Sequence, residues 1–202
     1  MGKTVVKCVL MAALGAAALA TAQTLTEEKD KPATPSVKDI MAQWAELNAP
    51  GPHHERFKES VGKWKTESKM WMGPGEPMIS PGVSTMELVL DGRYLKEHYR
   101  CLSEEMPFEG IQLMGYDNIK KKHVSVWIDS MSTGITQMEG TYDEATKTLT
   151  MTGQTDDPIT GPTKMRGVLR EVSKGKCVFE MYQSGPDGKE QKCMEITYTR
   201  ES

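Results

Sequence analysis

Two adjacent histidines beside a glutamate form the pattern in this sequence that most suggests metal chemistry. His53 and His54 precede Glu55 in a short segment that we predict to be helical. Neighbouring residues on a helix point about 100° apart, so the two imidazoles are poorly placed to bind one ion. No other cluster of histidine, cysteine or aspartate has the spacing of metal ligands. We therefore expect a structural or surface role for this pair, and we expect neither a metal nor another cofactor.

Two further histidines and one aspartate are candidates for haem binding or acid–base catalysis. His98 alternates with Lys96 and Arg100, which indicates a strand face that points outward. His123 is isolated in a predicted strand, where an inward-facing imidazole could bind haem iron. Asp129 ends a predicted strand, a place where a lone carboxylate usually caps a turn. The sequence shows no Gly-x-Ser-x-Gly motif and no Ser/His/Asp arrangement, so we assign no catalytic residue.

Methionine is unusually frequent, with 15 in the chain, and it suggests a third kind of chemistry. Soft, unbranched side chains can line an adaptable apolar cavity, but they can equally fill an irregular core. Hydroxyl groups on the same faces would orient a ligand, or they would bond each other or trapped water. The candidate ligand-binding residues on the presumed inner faces are Thr66, Ser68, Met70, Met181, Met194 and Tyr198.

These candidates depend on a strand over residues 61–70 that has two different faces. One face carries the charged residues Lys63, Lys65, Glu67 and Lys69 and is predicted to be exposed to solvent. The alternating face begins at Trp64 and is predicted to face an enclosed interior. About nine more strand-like runs follow, joined by short turns rich in aspartate, asparagine and glycine. We predict an all-β, up-and-down antiparallel barrel of about ten strands, because closure removes exposed edges.

The cysteine positions argue against a disulfide in this barrel. Cys101, Cys177 and Cys193 remain once the first 22 residues are removed. Cys177 shares a face with Phe179, whereas Cys193 falls on the face opposite to Met194. The register therefore predicts that Cys177 points inward and Cys193 outward, unless a β-bulge brings them together.

The first 60 residues divide into three segments. Residues 1–22 have basic Lys3 and Lys7, an apolar run and a small-x-small end at Ala22, which is typical of a cleaved signal peptide. Residues 23–35 have the composition of a disordered linker. In residues 36–60, an amphipathic helix begins at Ser36, and a short second helix plugs one end of the barrel of residues 61–202. We expect the first helix to pack on the barrel, with partner docking as the alternative.

Composition and charge describe an exported protein without a nucleic-acid partner. Hydrophobic residues make up 38% of the chain and charged residues 26%, as in soluble globular proteins. After signal cleavage, 23 basic residues face 28 acidic ones, and no basic block is large enough for nucleic acid. We expect a periplasmic or extracellular protein without a membrane segment. The sequence does not determine its oligomeric state.

The first and last strands resemble the calycin superfamily, which includes lipocalins and fatty-acid-binding proteins. The resemblance is carried by Gly62-Lys63-Trp64 and Arg200. In these families a Gly-x-Trp on the first strand meets an arginine of the last strand at the closed barrel end. The resemblance therefore implies that Gly62, Trp64 and Arg200 close the barrel, with the guanidinium stacked on the indole.

A longer stretch, from about Gly51 to Arg200, is similar to the bacterial family catalogued as domain of unknown function 1579. The motifs that carry this similarity are Met106-Pro107-Phe108-Glu109-Gly110, Gly115-Tyr116-Asp117-Asn118, Trp127-Ile128-Asp129-Ser130-Met131, Glu139-Gly140-Thr141-Tyr142-Asp143, Phe179-Glu180-Met181-Tyr182, Gly185-Pro186-Asp187-Gly188-Lys189-Glu190 and Met194-Glu195-Ile196-Thr197-Tyr198-Thr199-Arg200. The family has no established function and lends no catalytic residues. Together, these features favour a barrel that binds a small lipophilic ligand. The alternatives are a filled barrel with a structural or interaction role, an acid–base enzyme and a haem binder.

Overall fold

The computed structural model describes residues 35–157, 161–185 and 188–201. The predicted signal peptide over residues 1–22 and nearly all of the predicted linker over residues 23–35 lie outside this range. None of the helices in the described part of the chain is long and apolar enough to cross a membrane.

Ten antiparallel strands form a closed barrel, which confirms the predicted fold class. The strands are β1 (Gly62–Met70), β2 (Met78–Val89), β3 (Tyr94–Cys101), β4 (Glu109–Asp117), β5 (Lys122–Asp129), β6 (Thr136–Asp143), β7 (Thr148–Asp157), β8 (Gly161–Ser173), β9 (Lys176–Ser184) and β10 (Glu190–Arg200). Each strand pairs with its sequence neighbours, and β1 closes the barrel by pairing with β10, Trp64 opposite Arg200. The up-and-down order follows from the short connections, which only join antiparallel neighbours.

Strands β2 and β7 include residue types that are common in turns. β2 begins at Met78 and continues through Pro81 and Gly82. Gly82 is needed there because a Cβ would overlap the hydroxyl of Thr66 on β1. β7 runs through Asp157, so Asp156 and Asp157 belong to the strand although aspartate is common in turns.

The two ends of the barrel are built differently. Helix α2 (Pro52–Glu55) and the 3-10 helix Arg56–Glu59 cover the end at which β1 begins, as the predicted plug helix required. Phe57 of this plug is buried in a core cluster with Leu95, Met114, Leu149 and Met151. We call the end of the barrel that these helices cover the plug end. The opposite end, formed by the loops 71–77, 102–108 and 130–135, is the mouth.

Helix α1 (Val37–Leu47) forms as predicted, but its apolar face does not pack on the barrel. The Ser36 hydroxyl accepts a hydrogen bond from the Asp39 backbone N–H, and Asp39 bonds back, which completes the expected capping box. No residue of the helix is buried, and Trp44 is 66% exposed. The prediction of packing was wrong: the Asn118 side chain donates to the Leu47 carbonyl at 3.0 Å and attaches the end of the helix, while the apolar face stays exposed.

Candidate functional site

A cavity of about 1370 Å³ occupies the barrel interior, so the barrel is hollow rather than filled. It extends from the plug, at Phe57, to the mouth loops, at Met72, Met106 and Met131. Pockets for small molecules usually measure about 300–1000 Å³. This cavity therefore has room for a bulky molecule or a long one.

Methionine is the most frequent residue in the lining, with 12 of the 15 methionines of the chain facing the cavity. Near the mouth, Met70 of β1 pairs with Met78 of β2 on one side and with Met194 of β10 on the other. Met194 in turn pairs with Met181 of β9. These four side chains form a continuous line across four adjacent strands, which we call the methionine row. Thioether side chains are flexible, so this surface can adapt to apolar groups of different shape.

The six residues predicted to bind a ligand do not all meet the cavity. Ser68, Met70, Met181, Met194 and Tyr198 line it. Thr66 is buried but is not part of the lining, and its hydroxyl has no hydrogen-bond partner among the described residues. The Ser68 hydroxyl donates to the Ser80 carbonyl at 3.2 Å, so the backbone already occupies it. Their role in ligand binding stays a prediction.

The residues expected to close the barrel meet at the plug end. The Arg200 guanidinium carbon lies 4.3 Å from the centre of the Trp64 ring system. Arg200 also donates to the Val61 carbonyl at 2.6 Å and to the Glu59 carbonyl. Gly62 has φ +135°, and a Cβ there would press on the Arg200 side chain. A planar cation thus joins the first strand, the last strand and the plug by stacking and hydrogen bonds.

A buried carboxyl group, Glu97, is the polar feature of the cavity that the sequence reasoning missed. Its residue is 6% exposed, and it lines the cavity. The Ser84 hydroxyl donates to Glu97 Oε1 at 2.7 Å, and the Tyr198 hydroxyl bonds the same carboxyl group. Burial raises the pKa of Glu97, and these two hydrogen bonds oppose the shift. The signal was present: because Lys96 and His98 point outward, Glu97 between them must point inward.

The other titratable groups around Glu97 hold their protons. Burial first, and then the nearby Glu97 charge, raise the pKa of Tyr198 well above its ordinary value. The same two causes lead the rise of the pKa of Cys177 to about 12. Neither group is therefore a base at neutral pH. The cluster of Ser84, Glu97, Cys177 and Tyr198 offers hydrogen bonds and one latent negative charge, rather than an acid–base pair.

A second cluster, of aromatic rings and histidines, joins helix α2 of the plug to strands β4 and β5. The His53 ring stacks on Tyr116 with 3.9 Å between ring centres and meets His123 edge-on at 5.7 Å. His123 faces inward and is 3% exposed. His54 Nδ1 accepts a hydrogen bond from the Gly51 backbone N–H at 3.0 Å. Within the described residues no group of three histidine, cysteine or acidic side chains is placed to hold a metal ion.

Burial is the largest cause that lowers the pKa of His123, which falls to about 4. The charges of His53, Arg56 and His54 act in the same direction. His123 Nδ1 has no hydrogen-bond partner among the described residues. The ring is therefore neutral at physiological pH and packs as an aromatic group.

The two remaining candidates, His98 and Asp129, make contacts that indicate structural roles. His98 points outward, as predicted, and its Nε2 lies 3.3 Å from Glu109. Asp129 caps a turn, also as predicted, because its carboxylate accepts hydrogen bonds from the Trp127 indole at 2.8 Å and from the Met131 backbone at 2.9 Å.

One cysteine prediction was wrong. Cys193 does not point outward, because a β-bulge between Lys192 and Met194 shifts the register of β10. Its thiol donates to the Met181 carbonyl at 3.4 Å and lines the cavity near the mouth, while Cys177 lies opposite Tyr198 near the plug end. Both cysteines, like Cys101, are free thiols, as the argument against a disulfide required.

Solved structures with a similar fold include the crystal structure of Rv2717c from M. tuberculosis. It is 10% identical, with a TM-score of 0.53 over 76% of this chain and 100% of that chain. The S-type phycobiliprotein lyase CPES from Guillardia theta is also 10% identical, with a TM-score of 0.50 over 79% of this chain and 98% of that chain. At these identities the likeness concerns the fold alone. No curated protein matches the sequence. The family model described as protein of unknown function (DUF1579) matches residues 49–200, which cover most of the chain, and the chain therefore belongs to that family.

Proposed function

We propose that this protein binds a small lipophilic molecule inside the barrel. The observation that supports the proposal is the cavity of about 1370 Å³, whose lining includes 12 methionines together with aromatic side chains. Each buried CH₂ group of a ligand contributes about 0.8 kcal/mol, so a long or polycyclic hydrocarbon would bind tightly here. The methionine row near the mouth accepts apolar groups of varied shape, and the Glu97 cluster supplies one polar contact.

The resemblance to lipocalin-like barrels agrees with this proposal. One structural neighbour with a similar fold is named as a phycobiliprotein lyase. The cavity of this chain argues against the alternative of a filled barrel, since a structural core would close at native packing density.

We also propose that the protein is exported. The support is the pattern of residues 1–22, with a basic start, an apolar run and a small-x-small end at Ala22. Intact mass measurement of the protein from its native source tests this point. A mature chain that begins at Gln23 is expected, and a full-length chain in the cytoplasm would contradict export.

The binding experiment uses Nile red, a neutral lipophilic dye whose fluorescence increases in apolar surroundings. Met138 lies on the inner face of β6 and Met181 on the inner face of β9, and both line the cavity. The double variant Met138→Trp/Met181→Trp should narrow the cavity and weaken binding at least about tenfold, or about 1.4 kcal/mol. The matched control, Gln137→Trp/Tyr182→Trp, places the same two rings on the outer face and should bind within about twofold of wild type.

Two results would overturn the proposal. The first is wild-type protein that takes up no Nile red and carries no co-purified molecule in native mass spectrometry. The second is equal binding by both double variants, because dye bound on the outer surface would not respond to a narrowed cavity.

A further inference from the structure

We infer that the barrel selects lipophilic molecules that carry a cationic amine, and that the amine binds Glu97. This inference rests on the proposed function, since it names the class of ligand for the same cavity.

The first argument is that Glu97 is a buried acid without a counter-charge. Glutamate is almost never fully buried unless it is paired. Glu180, the other buried glutamate of the barrel, obeys this rule: it is 7% exposed and pairs with Arg170 and, at 3.1 Å, with Lys192. Glu97 is buried to the same extent, yet within the described residues its polar partners are the hydroxyls of Ser84 and Tyr198.

The two hydroxyl partners do not use the full hydrogen-bonding capacity of Glu97. Glu97 and Tyr198 both line the cavity, and Ser84 lies on the neighbouring strand β2. A carboxylate has about four acceptor sites, and two hydroxyl donors leave capacity for further N–H donors. A protonated amine in the cavity would supply those donors and the missing positive charge at once. Hydrogen bonds between charged groups are about twice as strong as neutral ones.

The aromatic surroundings of Glu97 also suit a cation. Tyr99 lies two residues further along the same face of β3, and Tyr198 bonds the carboxyl group from β10. The Trp64 ring system lies edge-on to Tyr198, with 6.5 Å between their centres. Aromatic faces attract a desolvated cation, so they would add to the ion pair.

The same surroundings disfavour a carboxylate ligand such as a fatty acid. No cation contributes to the pKa of Glu97, which depends on burial and the two hydroxyls. Four of the cationic side chains that line the plug end are engaged elsewhere: Arg56 and Lys147 with Glu144, Lys58 with Glu55, and Arg200 with Trp64. The other two, Lys174 and Lys176, are exposed. A carboxylate beside Glu97 would place two like charges in an apolar cavity, which is costly.

The test compares three probes with the same twelve-carbon tail: dodecylamine, dodecanol and dodecanoate. Each competes with Nile red at pH 8 on wild-type protein, on Glu97→Gln and on Glu87→Gln. Glu87 lies on the outer face of β2 and pairs with Lys96, so its substitution changes the net charge equally without touching the cavity. Wild type should bind dodecylamine at least about 30-fold more tightly than dodecanol, and dodecanoate most weakly.

In Glu97→Gln the preference for the amine should fall to about threefold or less, while dodecanol binding stays within about threefold of wild type. Glu87→Gln should behave as wild type. If dodecanol binds but dodecylamine binds no better, or if Glu97→Gln keeps the preference, the inference is wrong while the proposed function stands. If neither Nile red nor any of the three probes binds, the proposed function itself fails.

Wild-type protein alone gives a second readout if Glu97→Gln does not fold. The titratable groups that face Glu97 are Tyr198 from β10, Cys177 from β9 and Tyr99 on its own strand. Burial raises the pKa of Glu97 above its ordinary 4.5, so free protein at pH 4.5 carries mostly protonated Glu97. Loss of the negative charge should remove the preference for dodecylamine and leave dodecanol binding within about threefold. A preference that persists at pH 4.5 would contradict the inference.

Discussion

Acid should destabilise this protein through His123, a histidine that the fold keeps neutral. The side chain is 3% exposed and is surrounded by the rings of Phe57, Tyr116 and His53. Burial first, and then three neighbouring positive charges, lower its pKa from the ordinary 6.5 to about 4. The folded state therefore resists a proton that the unfolded chain accepts readily.

The sign and size of the effect follow from this difference. Above pH 6.5 the imidazole is neutral in both states, so the free energy of unfolding does not depend on His123. Between pH 6.5 and about 4 the unfolded state binds more protons, and stability falls as the pH falls. At pH 4.5 the loss is about 2.5 kcal/mol at most, and residual solvent screening reduces it to about 1.5 kcal/mol.

Urea unfolding, followed by tryptophan fluorescence, measures this loss at pH 7.5 and at pH 4.5. Carboxylates also titrate in this range, so the quantity of interest is the difference between wild type and His123→Phe. The variant should lose about 1.5 kcal/mol less than wild type between the two pH values. At pH 7.5 it should stay within about 1 kcal/mol of wild type, because the ring packs similarly and an unpartnered nitrogen is removed.

The control for this experiment is His98→Phe, since His98 lies on the outer surface beside Glu109. It should lose as much stability in acid as wild type does. If His123→Phe and wild type lose equal stability between pH 7.5 and pH 4.5, then His123 is not buried as a neutral ring and the reasoning is refuted.

Two further predictions concern the barrel wall. Arg200→Met should lower the free energy of unfolding by about 1–2 kcal/mol in urea titrations, since it removes the stacking on Trp64 and two hydrogen bonds to backbone carbonyls; an unchanged midpoint would show that the closure does not depend on this side chain. Gly140→Ala should lower the free energy of unfolding by about 2–3 kcal/mol, because its Cβ would overlap the backbone of β7. The control is Gly134→Ala, whose Cβ meets nothing closer than a hydroxyl oxygen at 3.4 Å and which should change the free energy of unfolding by less than about 0.5 kcal/mol. Equal thermal midpoints for the two glycine variants would contradict the close approach of β6 and β7.

The barrel and its inner face could be predicted because strand side chains alternate with a period of two. One well-marked strand, with Trp64 inside and Lys65 outside, sets the alternation for its neighbours. The same logic correctly placed Met181 and Tyr198 on the cavity wall. Cavity volume could not be predicted, because methionines that fill a core and methionines that line a cavity give the same alternation.

The three features that the sequence reasoning missed or placed wrongly have two kinds of physical cause. Glu97 was overlooked although the alternation places it inside, because a search for apolar inner faces passes over a charged residue in an inner position. Cys193 could not have been placed, since a β-bulge adds one residue locally and the apolar pattern resumes at Met194. The exposure of helix α1 belongs to the second kind, because amphipathicity identifies an apolar face but not what covers it.

The positions of the polar cluster and the methionine row would give a ligand of the proposed class one orientation in the barrel. Ser84, which bonds Glu97, lies opposite Trp64 on β1, whereas Met70 in the methionine row lies six residues further along that strand, or about 20 Å towards the mouth. If the proposed ligand entered through the mouth, its polar head would lie near Trp64 and its tail against the methionines. The head would then meet the Glu97 carboxyl group, and the tail would meet flexible thioethers. Discrimination between ligands should therefore reside in the head group, while tails of different shape are accepted at little cost.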